Sequence, residues 1–133
     1  MCVFCEIIRG NIPSFKVYED DHVLAILDIS QATYGHTLVM PKAHYANIFD
    51  IPQSELEKVI DVAKKVALSV KERLSCDGVN ILNNCGEAAG QSVNHFHIHV
   101  IPRYDNDDLK IEFTEHKMTQ DEFKKLENLI KIN

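Results

Sequence analysis

No stretch of the 133 residues approaches the ~20 consecutive apolar residues that a membrane-spanning helix requires. The opening residues, Met1-Cys2-Val3-Phe4-Cys5-Glu6, also lack the basic segment and long apolar segment of a secretory signal. Basic residues are in the minority, 14 Lys and Arg against 20 Asp and Glu, for a net charge of −6 with no basic tract or stripe. A binder of nucleic-acid backbones needs such a stripe, so that class is excluded. A small anionic substrate is not, because backbone N–H groups, histidines or a helix N-terminus can build a local positive site. Cysteine is scarce, at four residues. The chain reads as cytoplasmic and reducing, where cysteines serve as thiols or metal ligands rather than disulfides. Internal repeats, low-complexity segments and linkers are all missing, so residues 1–133 read as one domain around one core.

What remains is a globular composition, 45% hydrophobic and 26% charged, cut into short elements. Residues 4–10 suit one helical turn, stopped by Gly10 and Pro13. Strands are expected at 15–19, 22–27 and 35–40, with Asp20-Asp21 as a turn and 28–34 as a loop. Residues 53–75 carry the clearest helical periodicity, in Leu56, Val59, Ile60, Ala63, Val66, Ala67 and Val70. Ser54 and Glu57 have the spacing of a capping box at its start. A strand follows at 79–83, a loop at 84–92, and a strand that ends at Pro102. A weak segment lies at 109–113, and Thr119 would cap a last helix over 120–131. Few, separated helices among hairpin-connected strands indicate an α+β fold, a mostly antiparallel sheet with the long helix on one face.

The informative stretch is His95-Phe96-His97-Ile98-His99-Val100-Ile101. Alternate residues of a strand share a face, so three imidazoles would line one side and Phe96, Ile98 and Val100 the other. Residues two apart are ~6.6 Å apart along a strand, so neighbours can share a ligand, whereas the outer pair, ~13 Å apart, cannot crowd one small ion. Two chemistries fit. In one, a neutral imidazole nitrogen of His97 attacks phosphorus while its neighbours handle charge and protons. In the other, a His-x-His pair ligates zinc. The bland alternative is a solvated polar face, which one lone histidine would suggest but three in alternation do not. The preceding loop, Asn84 to Val93, contains Gly86 and Gly90 and several short polar donors. By itself it is an ordinary turn; beside the histidines it suits an anion-binding nest in which Ser92 donates to a phosphate oxygen.

Gln91-Ser92-Val93-Asn94-His95-Phe96-His97-Ile98-His99-Val100-Ile101 resembles the signature of the histidine triad (HIT) family. Further segments agree, among them Cys2-Val3-Phe4-Cys5-Glu6-Ile7-Ile8, Val17-Tyr18-Glu19-Asp20-Asp21, Leu27-Asp28-Ile29, Gly35-His36-Thr37-Leu38-Val39-Met40-Pro41-Lys42-Ala43-His44 and Gly78-Val79-Asn80. The likeness covers residues 2–103 and is closest to the small nucleotide-binding branch. It implies a five-stranded antiparallel sheet with two helices, the sheets of two subunits joined in a homodimer; the residues themselves add the C-terminal helix at 119–131. It also implies hydrolysis or transfer at the α-phosphate of a purine nucleotide such as AMP or an AMP conjugate, through a covalent nucleotidyl-histidine. By position His97 is the nucleophile, and His99 and Ser92 contact the phosphate and leaving group. Asn84, Gly90 and Gln91 match the phosphate site, and Asp28 and Ile29 match contacts to ribose and base.

Cys2-x-x-Cys5 is the close-spaced half of a zinc site without a second local pair. The resemblance to zinc-containing bacterial members supplies the rest, His44 and His95, for one structural zinc per subunit. Cys76 and Cys85 are then ordinary thiols, and His36 a structural residue. Lys42 and Arg103 read as surface charges, and residues 105–108 as a solvated turn. The apolar positions of the last helix, Phe123, Leu126, Leu129 and Ile130, are expected to pack on the core or on a dimer partner. The chain departs from some relatives in having no tryptophan, where they place a C-terminal aromatic segment near the partner's active site. Leaving-group preference therefore stays open between phosphoramidates and dinucleoside polyphosphates.

Overall fold

The computed structural model describes residues 1–133. Five strands, β1 (Lys16–Glu19), β2 (Val23–Leu27), β3 (Thr37–Pro41), β4 (Gly78–Leu82) and β5 (Ile98–Arg103), form one antiparallel sheet in the order β1-β2-β3-β5-β4. Three helices accompany it: α1 (Val3–Ile8), α2 (Gln53–Leu74) and α3 (Gln120–Ile130). No helix is long and apolar enough to cross a membrane.

The central strands β2 and β3 are apolar at almost every position because both faces of the sheet are covered there. Val23, Ala25, Val39, Ile98 and Val100 meet Val59, Val62, Ala63, Val66 and Val70 of α2 in the main core. The alternate residues Leu24, Ile26, Leu38 and Met40 face the other way, onto Phe4 of the short helix α1. Helix α1 covers only part of that second face. The rest of it is where the histidines emerge, since Ile98 and Val100 of β5 are committed to α2.

Two expected boundaries shift. Strand β5 does not end at Pro102: that residue pairs with Val79 and the strand runs to Arg103. Pairing of β5 with β3 stops at Val100, so Pro102 sits where one side of β5 is free, and a missing N–H is tolerated there. The same strand begins only at Ile98, so His95 and His97 lie in irregular chain before it rather than in a regular strand. Helix α2 starts at Gln53 behind Pro52, with no side-chain cap, so the Ser54–Glu57 capping box does not form. Glu57 instead accepts from Gln53 Nε2 at 3.1 Å.

The capping box at Thr119 does form, with Thr119 Oγ1 accepting from the Glu122 N–H and Glu122 from the Thr119 N–H. Yet α3 buries none of its residues in this chain, so it does not pack on the core. Arg103 is more than a surface charge: its guanidinium donates to both carboxylate oxygens of Asp107, to Asn80 Oδ1 and to the Leu109 carbonyl. That clamp orders the turn expected to be merely solvated. The 109–113 segment forms no regular element.

Candidate active site and metal cluster

The histidine-bearing chain resolves into two adjoining sites. The first gathers Cys2, Cys5, His44 and His95, whose ligand atoms all lie within 4.8 Å of one another. Cys2 Sγ is 3.4 Å from His95 Nδ1, Cys5 Sγ is 3.4 Å from His44 Nδ1, and the two Nδ1 atoms are 3.2 Å apart. Tetrahedral zinc, with bonds of about 2.0–2.3 Å, needs ligand separations of roughly 3.3–3.8 Å, so the set is already near its required spacing. The tautomer agrees as well. His95 Nε2 lies 2.8 Å from the Pro41 carbonyl and must donate to it, which leaves the Nδ1 lone pair aimed at the cluster. Burial pushes the His95 pKa down and favours the neutral form a metal requires. The donor set fits zinc, and four protein ligands leave no open position for catalysis.

The second site begins two residues on. His97 is buried, and its Nδ1 is 2.7 Å from the His95 carbonyl. A carbonyl only accepts, so Nδ1 carries the proton and Nε2 holds the free lone pair. Burial again holds the ring neutral, against the opposing pull of the His95 carbonyl and Asp28. The Phe4 ring meets His97 edge-on at 5.0 Å between centroids and His95 at 5.9 Å, so one aromatic residue braces both sites.

His99 belongs to a chain of three groups, and His36, expected to be only structural, is the middle one. The Ala32 N–H donates to His36 Nδ1 at 3.1 Å, so that nitrogen is bare and the His36 proton sits on Nε2. His36 Nε2 in turn lies 2.9 Å from His99 Nδ1 and 3.7 Å from Asp28 Oδ2. His99 therefore accepts at Nδ1 and keeps its own proton on Nε2, as a neutral donor. Asp28, His36 and His99 have metal-like spacing. Ligation by His36 Nε2, however, would require an imidazolate, since Nδ1 already accepts a backbone N–H. That hydrogen bond makes the trio a proton-ordering device and a poor cation site.

Burial first, then the His97 and His36 rings, push the His99 pKa down to about 4, with Asp28 pulling the other way. An unfolded histidine titrates near ~6.5, so between those limits the unfolded chain binds more protons than the folded one. The stabilisation is complete above pH ~6.5 and is lost as pH falls toward 4. Going from pH 7 to 5 is expected to cost about 1–2 kcal/mol from this ring, read as a falling urea midpoint. His99→Asn should flatten that slope; an unchanged slope in the variant would remove the assignment.

The remaining expected residues divide. Asp28 follows β2 and accepts the Ser30 N–H, and Ile29 beside it is 88% exposed, free to contact a ligand. Gly90 adopts φ +90° at the end of the short turn Glu87–Ala89, and Asn84 lies beside it, its Nδ2 3.8 Å from where a Cβ on Gly90 would stand. The Gln91 side chain is spent on the loop itself: it donates to the Ala46 and Val93 carbonyls and accepts the Gly86 N–H. Ser92 opens onto a cleft of about 730 Å³ shared with Met1, Cys2, Arg9, His44 and Asn94. Cys85, expected to be an ordinary thiol, is held by the Ile48 N–H and points at Asn83.

Comparison with known proteins identifies the family. The HIT domain model matches residues 9–106. A Bacillus subtilis relative, protein hit, is 51% identical over 107 residues, 80% of this chain and 74% of the relative. Adenylylsulfatase HINT3 of Arabidopsis thaliana is 42% identical over 106 residues, 80% of this chain and 54% of that protein. A Zn-bound histidine triad family protein from Mycobacterium smegmatis matches with a TM-score of 0.79 at 41% identity, covering 86% of this chain and 84% of that one. The match runs through the sheet and all three alternating histidines, and the chain belongs to the HIT family.

Proposed function

We propose that this protein hydrolyses or transfers at the α-phosphate of purine nucleotide conjugates, nucleoside phosphoramidates above all, through a nucleotidyl-histidine on His97. The observation that carries the reading is the His97 Nδ1 contact with the His95 carbonyl at 2.7 Å, because it reserves the Nε2 lone pair for attack. In the first step Nε2 bonds to the α-phosphorus as the bond to the leaving group breaks. The imidazolium so formed keeps its Nδ1 proton on the carbonyl. The leaving group departs with the electron pair and takes up a proton from solvent; in the second step water bonds to phosphorus and gives a proton back to solvent as the bond to Nε2 breaks, which restores the neutral ring. The His99 Nε2–H, with Ser92 and the loop around Asn84 and Gly90, donates to oxygens that gain charge in both transition states. Asp28 and Ile29 receive the ribose and base. Zinc on Cys2, Cys5, His44 and His95 would supply cross-linking of the N-terminus to the sheet and no step of the chemistry. The activity for which the Arabidopsis relative is named, that of an adenylylsulfatase, supports reaction at an adenylyl group.

A second reading, hydrolysis of dinucleoside polyphosphates, uses the same attack by His97 Nε2 and differs only in the leaving group. The deciding experiment compares adenosine phosphoramidate with diadenosine tetraphosphate under rapid quench with radiolabelled substrate. The first reading expects the phosphoramidate to be preferred and label to appear on protein in an acid-labile, base-stable bond. Tight AMP binding with no turnover of either substrate would instead indicate a nucleotide-binding regulatory protein. The exposed apolar side of α3, with Phe123 and Leu129, supports the homodimer, which sedimentation equilibrium tests directly: a monomer would remove it. The thiols of the zinc set need a reducing compartment such as the cytoplasm.

A further inference from the structure

The nucleophile sits one residue before the sheet takes hold, since Ile98 is the first residue of β5 to pair, with Val39 of β3, and nothing in β4 pairs that far. Pairing of β4 with β5 ends at Leu82 opposite His99, so the His97 carbonyl lies beyond the last backbone pair. Asn83, the next residue after β4, fills the gap with its side chain: Nδ2 donates to the His97 carbonyl at 2.8 Å. The amide is itself oriented, because Cys85 Sγ lies 2.9 Å from Asn83 Oδ1 and donates to it. Cys85 is anchored in turn by the Ile48 N–H, 3.3 Å from its sulfur. The two contacts assign the amide consistently, nitrogen toward the carbonyl and oxygen toward the thiol. Upstream, the Phe96 N–H donates to the Tyr45 carbonyl at 2.6 Å. The 95–96 peptide before His97 and the 97–98 peptide after it are thus each held by a group outside the sheet.

We propose that Asn83, oriented by Cys85, is a positioning residue for the nucleophile: it holds the His97 peptide so that the ring can keep Nδ1 on the His95 carbonyl and present Nε2. The proposal rests on the reading of His97 as the nucleophile. Releasing the carbonyl leaves the 97–98 peptide held only on its Ile98 side, by the pairing with Val39, and the ring of the irregular segment before it follows its backbone. Neither side chain has to touch the nucleotide. The loss should fall on the rate of phosphorus attack and not on binding, because a displacement of about 1 Å in a reacting group costs on the order of a hundredfold.

The test uses the zinc-loaded, full-length protein and the variants Asn83→Ala, Asn83→Asp, Cys85→Ala and Cys85→Ser. Asn83→Asp matters most, since it keeps the shape and the acceptor for Cys85 but removes the donor. In rapid-quench runs with adenosine phosphoramidate, both Asn83 variants are expected to form the nucleotidyl-enzyme about ten- to a hundredfold more slowly. AMP affinity should stay within about threefold, and circular dichroism unchanged. Cys85→Ala should show a smaller loss in the same step, and Cys85→Ser, whose hydroxyl still donates, should recover it. Proton–nitrogen NMR gives a second readout that needs no turnover: the His97 Nδ1–H should exchange with water faster in both Asn83 variants, while the His95 Nε2–H stays protected.

An Asn83→Asp protein whose His97 Nδ1–H exchanges at the wild-type rate overturns the proposal, whatever the substrate data. So does a slowed attack accompanied by an equal loss of AMP affinity. A wild-type protein that forms no nucleotidyl-enzyme, with the NMR difference present, sinks the nucleophile assignment and leaves the positioning contact standing.

Discussion

Replacing His97 with alanine is expected to lower turnover of a nucleoside phosphoramidate by at least about 10⁴-fold while leaving AMP affinity within a few-fold. The asymmetry follows from where the ring stands. In the proposed mechanism His97 offers a nitrogen lone pair to phosphorus and no contact to base or ribose, which the same reading gives to Asp28 and Ile29. On that reading, removing His97 leaves the binding groups in place and deletes the group that carries the nucleotidyl adduct. Alanine also removes the partner of the Phe4 ring, so some stability is lost with the imidazole. His97→Asn separates the two effects, because its amide can still donate to the His95 carbonyl while offering no lone pair to phosphorus. Both variants should fail to take up label in the rapid-quench experiment, and the asparagine variant should keep more of its melting temperature. Wild-type turnover in either would falsify the covalent mechanism.

The second large effect is on the metal cluster. Protein purified under reducing, chelator-free conditions is expected to hold one zinc per chain by elemental analysis, and Cys5→Ser to hold none. Losing a ligand does more than free the N-terminus. His95 is both a cluster residue and the owner of the carbonyl that takes the His97 Nδ1–H, and Phe4, between the two cysteines, leans on both rings. Zinc loss is therefore expected to lower stability by about 3–5 kcal/mol, a fall of roughly 10–20 °C in melting temperature. Turnover should fall in parallel with the loss of N-terminal amide protection. Were zinc instead a catalytic ion, stripping it would stop turnover while hydrogen exchange in α1 stayed slow. A metal-free preparation with full stability and activity would dismiss the cluster as incidental.

Particular residues show which contacts are legible in a linear chain and which are not. The alternation of His95, His97 and His99 with Phe96, Ile98 and Val100 is legible because a period of two places residues on opposite faces, and the apolar set does go to α2. Even so, only the end of that run is strand: His95 turns its ring into the cluster with Cys2, Cys5 and His44, and His97 bonds to the His95 carbonyl, before the ladder begins at Ile98. The capping box at Thr119 is a local motif, and it forms. The equally well spaced one at Ser54 does not, because Pro52 takes the cap position and the helix begins two residues earlier than a Ser54 cap would set it. Cys2 and Cys5 announce half a metal site by spacing. His44 follows from family resemblance alone, because 39 residues separate it from Cys5 in the chain.

The sequence by itself determined the sheet-and-helix class, the long amphipathic helix and the row of histidines, since each rests on periodicities of two or 3.6 that survive any packing. Tertiary structure alone decided that His36 orders the proton on His99, that Asn83 meets the His97 carbonyl with Cys85 behind it, and that Phe4 touches both His95 and His97. Those contacts bridge up to 93 residues and turn on which lone pair of an imidazole is free. A lone pair is reserved by a neighbouring N–H or carbonyl, and only the folded chain brings that neighbour within about 3 Å.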